Sequence, residues 1–454
     1  VSDRLQRKID QYLIEWKNSE GHLPLIVRGA RQIGKTEAIE HFARNNYKHV
    51  VEINFILQPE YQHIFADGFD VDRIIQNITF INPDFALEAH ETLIFFDEMQ
   101  VCPSCATSLK AFKIDGRFDI ICSGSMMGLN YQEIESNSVG YKQDYNMHSL
   151  DFEEYLWGKG YSSKQIDMLY ECMKELKPLS TGMMSSLRQN FQEYLMLGGM
   201  PAVVWLFIQQ KNYSGILNLQ SQLLLDYEED ITKYAGGLDK VKILNVYRKI
   251  PVFLGQDNKK FKISKVAHGA RSREYVGVGD WLINAGIVNV CYCLDTLSLP
   301  LRGNYNPDNY RLYYGDTGLL IASLDEEAQT DLRANRNFGV YKGALIENVV
   351  AQMLKQQGYN LYFYRNDNAT VEMDFFLRDA DSLIPLEVKA TNGATKSLNA
   401  LISADKYSDI IYGIKLGDTN IGWNGKFYTF PYALTFLLKR WLKEHIPVEI
   451  NADS

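Results

Sequence analysis

Gly29-Ala30-Arg31-Gln32-Ile33-Gly34-Lys35-Thr36 sets two glycines, a lysine and a hydroxyl at the spacing G-x-x-x-x-G-K-[ST]. That set suits phosphate chemistry. The glycines let backbone N–H groups face a polyphosphate, and a helix starting at the end of the loop adds partial positive charge. Lys35 is placed to reach the β- and γ-phosphates and the Thr36 hydroxyl to ligate Mg²⁺. The expected nucleotide contacts are Gly29, Arg31, Gln32, Ile33, Gly34, Lys35, Thr36 and Glu37. Further along, Thr92 to Phe96 run apolar straight into Asp97-Glu98, the Walker B pattern. Asp97 is expected to hold the Mg²⁺ through water and Glu98 to polarise the attacking water. Ser123, at the tip of the apolar stretch Asp119 to Cys122, is the candidate γ-phosphate sensor.

A second constellation lies near the C-terminus. Glu347 sits on the helical stretch opened by Gly343-Ala344-Leu345-Ile346, Asp374 at the start of a strand, and Glu387-Val388-Lys389 on the next strand. Residues i and i+2 of a strand face one side, so Glu387 and Lys389 point together. Asp374 would complete a carboxylate pair for Mg²⁺, Lys389 would orient or deprotonate water, and Glu347 would bind a second ion or a water. Helix, strand, strand with these residues is the PD-(D/E)XK nuclease arrangement. The alternative is a nuclease-like core whose charges form buried ion pairs.

These groups need scaffolding. An amphipathic helix is predicted over 3–20, with Leu5, Ile9, Leu13 and Trp16 on one stripe. Leu23 to Arg28, His49 to Phe55, Glu91 to Asp97, Asp119 to Cys122 and Tyr145 to Leu150 read as five strands, and Thr36 to Asn45 as the helix after the phosphate loop. From Asp151 to about Tyr234 the pattern is helical, broken at Lys177-Pro178 and Gly198-Gly199-Met200-Pro201, the second break being a hinge or only a turn. Residues 244–300 suggest a winged helix-turn-helix with Ile287 to Leu294 as a strand. Its central Lys265, His268, Arg271 and Arg273 would touch DNA phosphates, unless the module binds another partner or belongs to the lid. The fold class is therefore α/β multidomain: a P-loop NTPase parallel sheet (1–165), a helical lid (166–238), a winged helix (239–300) and a C-terminal PD-(D/E)XK-like α/β domain (301–454).

Composition sets the outer limits. The chain has 454 residues, 46% apolar and 23% charged, with a net charge of −9. That balance argues against a broad nonspecific nucleic-acid coat while permitting a local basic groove. Six cysteines give neither a disulfide framework nor a second C-x-x-C at zinc spacing, which predicts reduced thiols in the cytoplasm. Neither a signal peptide nor a membrane span is expected.

The joint set GARQIGKT (29–36), FFDEMQ (95–100), SGS (123–125), SLDFEEYL (149–156), GGMP (198–201), ISKVAHGARSREY (263–275), YYGDTGLL (313–320), GALIEN (343–348), VEMDFFL (371–377) and PLEVKA (385–390) resembles AAA-type P-loop ATPases of bacteria and archaea. These carry a C-terminal domain of unknown function similar to the PD-(D/E)XK fold. The resemblance implies ATP binding and hydrolysis. Many relatives place Gly-Arg ahead of the fifth strand, whereas here Gly140 is followed by Tyr141 and Lys142, so an arginine finger at that position is not expected. Arg31 matches the family and is expected to orient the loop. Two functions follow: an Mg²⁺-dependent ATPase whose nucleotide state controls a DNA-acting nuclease-like domain, or a slow nucleotide switch whose inactive nuclease-like domain binds a protein or nucleic acid. Either is compatible with an oligomer.

Overall fold

The computed structural model describes residues 4–125, 140–235, 240–256, 260–262, 265–266, 275, 277–334, 338–366, 368, 370–379, 382–390 and 393–445. They form two compact units: one from within 1–149, 230–236 and 284–286, the other from within 150–229, 237–283 and 287–454.

The first unit runs α1 (Lys8–Asn18), β1 (Leu25–Gly29), α2 (Lys35–Asn46), β2 (His49–Asn54), α3 (Val71–Ile81), β3 (Thr92–Asp97), α4 (Pro103–Asp115), β4 (Asp119–Ser125) and β5 (Gln143–Asn146). The strands make a parallel sheet in the order β2-β3-β4-β1-β5. Parallel strands covered on both faces are continuous apolar runs, and β3 is buried at all six positions. Phe55, Phe96, Ile53 and Ile74 share one core, with the Phe55 and Phe96 rings stacked at 5.6 Å. All four residues of the predicted N-terminal stripe are buried. The fifth strand lies earlier than Tyr145 to Leu150. It is an edge strand, half exposed with a polar sequence, so apolar content marks its exit rather than its course.

The second unit begins with α5 (Phe152–Gly158), α6 (Ser163–Lys174), α7 (Thr181–Leu197), α8 (Pro201–Gln210) and α9 (Ile216–Tyr234), the last of which ends in the first unit. Then come α10 (Lys240–Leu254), α11 (Val278–Asn284), β6 (Val288–Leu294), β7 (Tyr305–Tyr314), α12 (Thr317–Ala322), α13 (Glu326–Arg333) and α14 (Phe338–Gln356). The chain continues through β8 (Leu361–Arg365), β9 (Glu372–Met373), β10 (Phe375–Asp379), β11 (Ser382–Lys389), α15 (Lys396–Ile402), β12 (Gly413–Gly417), β13 (Gly422–Trp423), β14 (Phe427–Pro431) and α16 (Leu438–Glu444). Two sheets result, β7-β6-β8-β9 and β10-β11-β12-β14-β13.

Two observations bear on the expected lid and wing. The helices expected to form a separate lid cluster, up to Glu229, with the C-terminal sheets. The strand expected to be the wing, β6, is flanked by β7 and by β8 of the C-terminal region, so the hairpin 288–314 is built into that sheet. His268, Arg271 and Arg273 lie outside the described residues. Lys265 Nζ donates to Gln256 Oε1 at 3.3 Å.

The Gly198-Gly199 break is a weld within the second unit. Asp316 Oδ2 accepts the Gly199 N–H at 2.8 Å and Oδ1 the Gly318 N–H at 3.0 Å. A Cβ on Gly199 would stand 2.0 Å from the Leu150 carbonyl oxygen, and one on Gly318 2.3 Å from that of Leu197. Three backbone segments therefore meet where no side chain fits. Asp316→Ala strands two buried amides, at about 1–3 kcal/mol each. A loss of roughly 2–6 kcal/mol in urea denaturation is expected from that cost, and an unchanged midpoint would contradict the weld.

No described helix is long and apolar enough to cross a membrane. All six cysteines are free.

Candidate functional sites

The phosphate loop is shaped by two unusual backbone positions, Gln32 at φ 60° and Gly34 at φ 88°. Gly34 caps α2 in the left-handed region that glycine occupies without strain. Gly29 is required for another reason: a Cβ there would lie 2.3 Å from the Met147 carbonyl oxygen. Arg7 donates to the carbonyls of Ile33 at 2.7 Å and His148 at 2.6 Å, bracing the loop from outside. Arg4 reaches Glu37 at 2.7 Å, and Arg31 pairs with Asp230.

Lys35 is buried and donates to the carbonyls of Gly29 at 3.2 Å and Ala30 at 2.6 Å. Burial lowers its ammonium to about 8, outweighing the pull of Glu98 and Asp97. A polyphosphate beside Nζ adds negative charge and raises that value. Below pH 8 the lysine is charged with or without nucleotide, and affinity is flat. Above it the free protein sheds the proton that the complex keeps. Nucleotide binding is therefore expected to take up about one proton at pH 9 and to weaken by up to about tenfold per pH unit. Calorimetry in two buffers of different ionisation heat measures the uptake, and none at pH 9 would separate Lys35 from the phosphates.

Asp97 is the hub of the strand tips. Its Oδ2 accepts from Thr36 Oγ1 at 3.1 Å and from Asn54 Nδ2 at 3.0 Å, while Oδ1 accepts from Ser123 Oγ and from the Glu98 N–H at 3.0 Å. Asn54 pairs in register with Asp97 across β2 and β3. Sequence reasoning does not assign Asn54, although a polar residue ending an apolar strand beside the Walker B strand is a legible signal. The hydroxyl and carboxylate donors of Thr36 and Asp97 are the hard oxygen ligands that Mg²⁺ takes. Glu98 is left-handed at φ 57° and accepts from Gln100 Nε2. Lys142, one residue past Tyr141 where relatives carry the arginine, is paired with Asp144 at 2.6 Å.

The C-terminal residues line one cleft of about 320 Å³, shared by Glu347, Glu372, Asp374, Glu387, Lys389 and Ser397. Asp374 sits at the break between β9 and β10, and its Oδ2 accepts the Val388 N–H of β11 at 2.8 Å. Lys389 Nζ lies 2.7 Å from Glu387 Oε1. Glu387 is 4% exposed, and its Oε2 has no hydrogen-bond partner among the described residues. Burial pushes its carboxyl above the ordinary value despite Lys389 and Lys415.

Glu347 is engaged otherwise than expected. Its Oε1 accepts from Tyr313 at 2.5 Å and from Arg311 at 3.2 Å, and Arg311 also pairs with Glu372. Arg311 is itself buried, 4.0 Å from the Phe363 ring centroid. Among the described residues no group of three His, Cys, Asp or Glu side chains is placed to hold a metal ion. Glu347 lines the same cleft as Asp374 and Glu387, with its Oε1 held by Arg311 and Tyr313. Arg311, Tyr313 and Glu372 are beyond sequence reasoning, since nothing in their spacing reveals the contact.

Residues 22–156 match the model of an AAA domain, AAA_14. Residues 188–330 match a domain of unknown function, DUF8612, and 342–434 another, DUF4143. The chain is similar to an uncharacterized protein of Haemophilus influenzae, 22% identical over 422 residues, spanning 88% of this chain and 91% of that one. Among solved structures it is similar to the Walker-type ATPase paby2304 of Pyrococcus abyssi (TM-score 0.43, 11% identity, 71% of this chain and 96% of that one). It is also similar to the Thermotoga maritima RuvB Holliday junction branch migration motor (TM-score 0.29, 12% identity, 72% and 95%). The phosphate-loop geometry, the parallel strand order and the matched domain model together support an AAA-type P-loop ATPase domain over residues 22–156, followed by two regions whose matched families carry no assigned function.

Proposed function

We propose that the protein hydrolyses ATP with Mg²⁺ in its first unit, and that its nucleotide state controls a Mg²⁺-dependent, nucleic-acid-cleaving cleft in its second. The observation that carries the first part is Asp97. Four donors fix its carboxylate at the strand tips, beside a loop shaped for phosphate. In this reading the loop N–H groups and Lys35 hold the β- and γ-phosphates, and Thr36 and Asp97 hold the metal. Ser123 and Asn54 keep Asp97 aimed. Glu98 accepts the proton of the water that attacks the γ-phosphorus as the bond to the β-phosphate oxygen breaks. Mg²⁺ would neutralise charge on the phosphate oxygens.

The cleavage reading rests on Glu387. A buried carboxylate with one oxygen lacking a partner and a raised carboxyl pKa is held at a cost that a cation would offset. A stabilising ion pair has the opposite signature, a carboxyl drawn below its ordinary value. Asp374 and Glu387 would be the metal ligands and Lys389 the group that handles water, with DNA the expected substrate. The order helix, four strands paired antiparallel as β8 with β9 and β10 with β11, helix, parallel strand from α14 to β12 supports a PD-(D/E)XK-like domain. A second reading, the switch with an inactive cleft, draws support from Glu347, whose carboxylate Arg311 and Tyr313 occupy. The test is a paired assay of ATP hydrolysis and of DNA and RNA cleavage, each with Mg²⁺ and with chelator. Metal-dependent turnover in both supports the proposal. ATPase activity without cleavage leaves the switch, and no ATP hydrolysis overturns the ATPase itself.

A further inference from the structure

Gln100 sits two residues past Glu98, is 8% exposed, and uses both ends of its amide. Its Nε2 donates to Glu98 Oε2, and its Oε1 accepts the Ser125 N–H at 3.2 Å. The backbone N–H of Ser125 can only donate, so it fixes the amide oxygen on that side and turns the NH₂ toward the carboxylate. The space is reserved for it. A Cβ on Gly124 would lie 2.9 Å from Gln100 Oε1 and 3.0 Å from Met99 Cγ. This gives the glycine between Ser123 and Ser125 a reason that its backbone conformation does not supply.

We propose that Gln100 is the positioning residue for Glu98. It ties that carboxylate to the tip of β4, in parallel with the tie from Ser123 to Asp97, so that the two carboxylates of the Walker B strand are oriented by one neighbouring strand. The proposal rests on Glu98 being the group that polarises water. Glu98 occupies the left-handed region, where a non-glycine residue needs its surroundings to hold it, and the Gln100 amide is the side-chain hydrogen bond that meets its carboxylate. Misplacing a catalytic group by about 1 Å costs on the order of 10²-fold in rate.

The experiment compares Q100A, G124A, Q100E, E98Q and E98Q/Q100A for ATP affinity and turnover on the full chain. Q100A and G124A are expected to bind ATP like the wild type and to lose about 10–10²-fold in kcat, the second because its methyl displaces the Gln100 amide. Q100E places two carboxyls together. While they share a proton the bond to Glu98 survives, so its activity should approach the wild type at low pH and fall as pH rises. A residue that served only packing would give no such profile. In the E98Q background Q100A should add nothing, because Gln100 acts through Glu98. Wild-type kcat in both Q100A and G124A, with E98Q inactive, overturns the proposal. A further loss from Q100A in the E98Q background also overturns it. An E98Q that turns over normally removes the base reading instead, and the proposal falls with it.

Discussion

Glu98→Gln is expected to bind ATP with near-native affinity and to hydrolyse it about 10²–10⁴-fold more slowly, the range for removing a general base. The substitution keeps the shape and the left-handed backbone and removes only the charge that draws a proton from water. In the proposed reading the phosphate contacts would belong to the loop and Lys35, and the metal contacts to Thr36 and Asp97, so affinity should survive. The Gln100 NH₂ can still meet the new side-chain oxygen, which keeps the strand tip in place. Asp97→Asn behaves differently: it turns one oxygen that accepts from its neighbours into a donor facing other donors. It should therefore lose Mg²⁺-dependent binding as well as turnover. Single-turnover hydrolysis beside equilibrium binding separates the two. An E98Q protein with wild-type single-turnover rates would transfer the role to another group.

The sequence exposes the first unit more fully than the second, for a physical reason. Central parallel strands are buried on both faces, so β1, β3 and β4 are apolar runs that end where chemistry begins, and Asp97, Glu98 and Ser123 stand at those ends. The edge strand β5 is half exposed and polar, which hides its position. Asn54 and Gln100 make contacts between strand tips, which a linear spacing does not encode. In the second unit the i, i+2 rule places Glu387 and Lys389 on one side, and they do meet. Glu347 reads equally well as a ligand because its distance along the helix says nothing of Arg311, which arrives from β7 and donates to one of its carboxylate oxygens. The weld at Gly198-Gly199 and Asp316 is of the same kind. Gly-Gly before Pro looks like a turn, and only the approach of Leu150 and Gly318 shows why no side chain fits.

Glu387→Gln and Lys389→Ala should divide the two readings of the C-terminal cleft. Burial raises the Glu387 carboxyl, so the fold prefers its protonated form, and the stability contributed at low pH is lost as pH rises through the folded value. At neutral pH the ionised group therefore strains the fold. Glu387→Gln removes that charge at constant shape, and its melting temperature should equal or exceed that of the wild type. The same variant loses a hard oxygen ligand and with it Mn²⁺ binding at the cleft, measured by calorimetry with the nucleotide site blocked by excess Mg²⁺-nucleotide. Lys389→Ala should keep Mn²⁺ binding and lose the group that handles water, about 10²–10⁴-fold in cleavage. ATP hydrolysis should persist in both, because in the proposed reading its metal would be held by Thr36 and Asp97. If Glu387 and Lys389 form a structural pair instead, each variant strands a partner. The cost would then fall between the roughly 1 kcal/mol of a surface pair and the roughly 3–5 kcal/mol of a buried one. Both proteins would melt earlier, and the wild type would bind no Mn²⁺ at the cleft. A stabilised Glu387→Gln protein that no longer binds Mn²⁺ is the outcome that only a metal site produces.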